Sequence, residues 1–122
     1  AYKENRDYEK ALVQLTKVSG MNEGKQDAEV HANIGFVIMK SNKNDDAITA
    51  LGKALEMHPD EELKEKIKED LASIYFDKGR KAYDNNKFED AMTFFKQAQF
   101  YSPQDIKIEN AIKKAEKSVK NQ

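Results

Sequence analysis

The sequence predicts an all-α fold built from repeated helix pairs, on three observations. Apolar residues recur at helical spacing in successive segments, the chain's two prolines fall just beyond such segments, and the stretch His31 to Pro59 reappears without a gap 44 residues later. Each element follows from its own pattern. After a stub at residues 1–5, Tyr8, Ala11, Leu12, Leu15 and Val18 predict a helix over 7–18, followed by the Gly-containing loop SGMNEGK. A helix over 27–40 carries the apolar run GFVIM. Ala47, Ile48, Leu51, Ala54 and Leu55 then predict 45–57, which stops at Pro59. Leu63, Ile67, Leu71, Ile74, Tyr75, Lys78 and Ala82 continue one stripe over 61–85 with no proline and only Gly79, near its end, as a breaker. Phe88, Ala91, Met92, Phe95 and Ala98 predict 88–101, and Ile108, Ala111, Ile112, Ala115 and Val119 predict 104–120. Asn44, Asp45 and Asp46, then Asn85 and Asn86, suit helix starts because short polar side chains satisfy free amides there. Ser102, Pro103 and Asp105 make a similar start, with proline at the tolerated first position.

Composition excludes several classes of function. The chain has 122 residues, the size of one ordinary domain. Lys and Arg number 21 against 22 Asp and Glu, so the net charge of −1 supplies no field for nucleic acid. There is no Cys and there are only two His, which removes disulfides, thiolate catalysis and Cys-type zinc sites, and is compatible with cytosol and periplasm alike. No apolar run approaches the roughly 20 residues of a membrane span. The opening AYKENRDYEK has no initiating Met, signal core or lipidation motif, and reads as the start of a processed or excised piece of something longer.

The repeat carries the domain organisation. Under the 44-residue offset Gly35 falls on Gly79, Ala47 on Ala91, Leu51 on Phe95 and Ala54 on Ala98, while YEKALVQLTKV matches only the second half of the unit. This pattern resembles the tetratricopeptide repeat, a 34-residue helix-turn-helix unit. Ile34-Gly35, Ala47, Leu51, Ala54 and Pro59 stand at the family spacing, with His31 for the leading aromatic and Ile38 for the Tyr. Tyr75, Gly79, Ala91, Phe95, Ala98 and Pro103 fit in the second unit, where Lys78 departs from the aliphatic and Ala82-Tyr83 stands near the Tyr. The resemblance implies a right-handed α-solenoid of antiparallel helix pairs within a single domain. Its parts are a partial repeat and loop over 1–24, repeats over 28–61 and 72–105, a helical insertion over 62–71, and a capping helix over 106–122. The insertion predicts one helix of about 25 residues and about 37 Å. Gly35 and Gly79 are expected to let a partner helix approach closely, since Gly in a helix otherwise costs about 1 kcal/mol. In the last helix Glu109 and Glu116 dilute the lysines, which favours a cap over a basic membrane or nucleic-acid helix.

Catalytic motifs are absent: no Gly-rich phosphate loop, HExxH or GxSxG occurs, and the acidic clusters Asp45-Asp46, Asp60-Glu61-Glu62 and Glu69-Asp70 fall at helix starts or solvated faces. The expectation is a non-enzymatic protein-interaction scaffold with no cofactor, no metal, no nucleic-acid partner and no membrane insertion. The resemblance implies that a peptide or helix segment of a partner protein binds along a concave groove lined by the first helix of each unit. Helical spacing makes that lining Glu29, Ala32, Asn33, Phe36 and Lys40, then Ser73, Phe76, Asp77, Arg80 and Asp84. Phe36 and Phe76 are either anchors for a partner side chain or packed against neighbouring helices, and Lys40 and Arg80 would meet carboxylates. Asn33 matches the terminal-carboxylate clamp of chaperone-binding relatives, but Ser73 and Asp77 replace its cationic companions, so no such clamp is expected. The alternative role is assembly, in which the open N-terminal edge near Tyr2, Leu12 and Leu15 stacks on upstream repeats or on another copy.

Overall fold

A computed structural model of the chain describes residues 28–122. The expected stub, the helix over 7–18, the SGMNEGK loop and the edge residues Tyr2, Leu12 and Leu15 lie outside the described residues. Those described are all-helical, with no strand: α1 (Ala28–Lys40), α2 (Asn44–Glu56), α3 (Glu61–Asp84), α4 (Phe88–Tyr101) and α5 (Ile106–Lys120). Every boundary lies within two residues of the sequence expectation. The 62–71 segment is part of the single 24-residue helix α3, about 36 Å long.

The turns correct the expected helix starts. The residue capping α2 is Lys43 and the one capping α4 is Lys87, and neither start has a side-chain cap hydrogen bond. Asn42 and Asn86 instead close the helices before them, both in the left-handed region at φ 63°, which Asn tolerates better than most residues. In the first turn the Lys43 amide donates to the Ile38 carbonyl (3.3 Å) and the Asn42 amide to Met39 (3.1 Å). In the second, Lys87 donates to Ala82 and Asn86 to Tyr83, each at 2.9 Å. This paired closure satisfies carbonyls that a helix end otherwise leaves open. Asp45 and Asp46 stand one step inside, in the first turn of α2, where the helix dipole favours them. Asp60 and Asp105 are the side-chain caps: the Asp60 carboxylate accepts from the Leu63 amide and Asp105 from the Lys107 amide, both at 2.9 Å. Pro103 lies in the turn before α5, where the Asp105 amide donates to the Ser102 carbonyl (3.2 Å), and not at the first helical position.

The chain divides into two compact units between Ile67 and Lys68, within α3. In the first, α1 packs on α2, and Ala32, Ile34, Ile38, Ala47, Leu51 and Ala54 are buried, together with His31, the one buried polar residue among those described. A Cβ on Gly35 would lie 2.6 Å from Leu51 Cγ, so the two helices meet at van der Waals contact there. The second unit comprises the remainder of α3 with α4 and α5. Its core is Ala72, Ala82, Ala91, Phe95, Ala98, Ile108, Ile112 and Ala115, rimmed by Tyr75, Phe76, Tyr83, Met92, Phe94, Tyr101 and Ala111. Five of those eight core residues are Ala, which lets the helices close in on the Phe95 ring. A Cβ on Gly79 would lie 2.5 Å from that ring. The 44-residue sequence repeat is therefore also a repeat of local structure, in the turn and in the glycine contact.

Candidate functional site

On α3 the residues Ser73, Asp77, Arg80 and Asp84 step by four, three and four, which puts them on one exposed face of the helix. Phe76 sits at the edge of that face, half-buried, with its ring 5.4 Å from Phe95 at a 43° tilt. Two cations cover the ring: Lys107 Nζ at 4.8 Å and the Arg80 guanidinium at 5.9 Å from its centroid. Together these elements bound a cleft of about 270 Å³ lined by Glu69, Ala72, Ser73, Phe76, Asp77, Arg80, Ser102, Asp105, Lys107 and Ile108. Arg80 lies 3.8 Å from Asp77, with both side chains more than half exposed. A pair that open to solvent holds little energy and opens readily toward another charge.

A second cleft, about 230 Å³, adjoins the first through Phe76 and Arg80 and adds Tyr83, Asp84, Phe95, Ala111 and Lys114. Here Lys114 Nζ stands 5.0 Å over the Tyr83 ring, the Phe88 ring meets it edge-on at 5.0 Å, and the Tyr83 hydroxyl shares a 2.9 Å hydrogen bond with Ser118 Oγ. Lys107 meets Phe76 and Lys114 meets Tyr83, seven residues further along both helices, so α5 runs alongside α3 in the same direction. The two clefts therefore form one strip of aromatic floor with Arg80, Lys107 and Lys114 above it and Glu69, Asp77 and Asp84 beside it. That strip can take an apolar side chain against a ring edge while pairing charges of either sign at its rim.

Of the expected lining, Phe76, Asp77 and Arg80 come together in the first cleft, and Asp84 joins Phe76 and Arg80 in the second. Glu29, Asn33 and Lys40 are exposed on α1 in the first unit, and Phe36 there is half-buried under Lys66 Nζ at 4.9 Å. By the 44-residue offset that face of α1 corresponds to the cleft face of α3. Sequence reasoning missed Glu69, Ser102, Asp105, Lys107, Ile108 and Lys114. The available signal was the spacing of Lys107, Ala111, Lys114 and Ser118, which marks one face of α5.

Away from the strip, Tyr75 and Tyr101 stack at 6.0 Å with rings 7° from parallel, and burial, then the neighbouring Tyr75, pushes the Tyr101 hydroxyl above its ordinary pKa. Among the described residues no group of three or more His, Asp or Glu side chains is placed to hold a metal ion, and no helix is long and apolar enough to cross a membrane. No protein-family model and no curated protein matches this sequence.

Proposed function

We propose that this chain is a non-enzymatic protein-interaction scaffold of the tetratricopeptide type, a right-handed α-solenoid in which α5 caps the last repeat. It binds a peptide or helix segment of a partner protein in a concave groove lined by the first helix of each unit. The observation that carries this reading is the strip over Phe76 and Tyr83, where an apolar floor is ringed by exposed charges on two helices. Its volume suits one or two side chains in each cleft, below the roughly 300–1,000 Å³ of a pocket that encloses a small molecule. Recognition then rests on a few anchors set in a polar rim, the arrangement that concentrates binding energy in protein interfaces.

The reading is tested by affinity capture from source-cell extract, comparing the native chain with an Arg80→Glu, Lys107→Glu variant that circular dichroism shows to be folded. Both side chains are exposed, so the variant changes the rim and leaves the core intact. A protein retained by the native chain and lost by the variant supports the strip as the binding site. Equal retention by both moves the interaction elsewhere.

A further inference from the structure

The charged rows beside the strip differ in sign. On the α3 side stand Glu69, Asp77 and Asp84. Arg80 is the one cation among the α3 residues that line the clefts, and it already faces Asp77 at 3.8 Å, so this row keeps a negative excess. On the α5 side stand Lys107 and Lys114, with the exposed Lys117 about one turn further on. The glutamates of α5 point elsewhere: Glu109 and Glu116 each follow a lysine of the row by two residues, about 200° round the helix, and Glu109 pairs with Lys113 at 3.5 Å. Asp105 is the exception, at the end of the strip, where its carboxylate accepts from the Lys107 amide as the cap of α5.

The rows also share one period. Phe76 and Tyr83, Asp77 and Asp84, and Lys107 and Lys114 are each seven residues apart, about 10.5 Å along a helix axis. A partner helix that runs along the strip repeats its side chains at the same interval, every two turns, and meets a ring, a carboxylate and an ammonium in each repeat. An extended segment repeats at about 6.8 Å on one face and falls out of step. From this match of period and sign we propose that the partner segment is an amphipathic α-helix. Two apolar anchors seven residues apart rest on Phe76 and Tyr83, acidic residues form the flank over α5, and basic residues form the flank over α3. This occupant rests on the reading of the strip as the binding site, and narrows the choice of peptide or helix to a helix. Opposite signs on the two rims also fix the direction of the helix. Turned end for end, it would set acids against Asp77 and Asp84 and bases against Lys107 and Lys114.

Titration with synthetic peptides of about 21 residues, three heptads long, followed by amide chemical shifts of the chain, tests it. The probe carries leucine at every seventh residue on an alanine background, with Glu along one flank and Lys along the other. Its comparators have Glu on both flanks, Lys on both flanks, or the probe's own composition broken by central prolines. The probe should bind about tenfold tighter than either single-sign peptide at low salt, with shift changes concentrated at Phe76, Tyr83 and Lys114. In a Lys107→Glu, Lys114→Glu variant, whose substitutions lie at exposed positions, the preference should pass to the peptide with Lys on both flanks. Equal binding of the proline-broken peptide at the strip would overturn the helix and leave the strip standing as a site, whereas probe binding with no shift change at the strip would overturn the site as well. Shift changes at the strip that grow with chain concentration alone would give it to a second copy and overturn the partner helix. Indifference to flank charge, or no binding by any of these peptides, overturns it too.

Discussion

The Cβ that Gly79 lacks would stand 2.5 Å from the Phe95 ring, and 44 residues earlier the one that Gly35 lacks would stand 2.6 Å from Leu51. In both units, then, a helix crosses its neighbour at the position where a side chain has been omitted, and a large apolar residue fills the space.

Gly79→Ala should therefore overpack the contact and cost about 1–3 kcal/mol, with Gly35→Ala acting in the same direction. Gly52 is the internal control. A Cβ there meets nothing within 4 Å, so Gly52→Ala should raise stability by about 0.5–1 kcal/mol through helix propensity alone. Thermal melts of the three variants check the opposite signs, and a stabilised Gly79→Ala would remove the packing explanation.

The left-handed turn residues make a second prediction. Asn86→Gly should keep or raise the melting temperature, while Asn86→Val should cost about 1–2 kcal/mol because a β-branched residue is strained at φ 63°. Equal melts for the two would mean that the turn relaxes.

Tyr83 and Ser118 tie α3 to α5 beside the second cleft. Tyr83→Phe and Ser118→Ala should each cost about 1 kcal/mol, and together scarcely more than either alone. Fully additive losses in this double-mutant cycle would show that the hydrogen bond contributes nothing.

Tyr101 predicts the alkaline limb of stability. Its folded-state pKa is raised, chiefly by burial and further by Tyr75. The protonated form is thus favoured more in the folded chain than in the unfolded one. Its contribution is complete below the unfolded value of about 10 and is lost as pH rises through the raised value. Tyr101→Phe should flatten the fall in denaturation midpoint above about pH 10, and an unchanged fall would assign it to other groups.

The helices were legible because their apolar stripes are regular, and the ten residues 62–71 were legible as helix because the stripe runs on through them without proline or glycine. The turns were misread for a physical reason. Asn serves equally well as a cap that accepts from a following amide and as a left-handed residue that ends the preceding helix. Only the direction of the hydrogen bonds, Lys43 back to Ile38 and Lys87 back to Ala82, separates the two roles. The α3 half of the cleft could be read from helical spacing, which brings Phe76, Asp77 and Arg80 together. The α5 half was missed, because the spacing of Lys107, Ala111, Lys114 and Ser118 marks one face of α5 without saying which helix that face meets. The half-burial of Phe76 likewise depends on Phe95, 19 positions away.

Site-specific photo-crosslinking tests the binding strip most directly. A photoreactive residue at Asp77, in the cleft, is compared with one at Glu89, exposed on α4 and outside it. Crosslinks to a partner segment from position 77 and none from 89 are the expected result. A partner that binds the chain yet crosslinks only from 89 would contradict the assignment of α3 and α5 as the recognition surface.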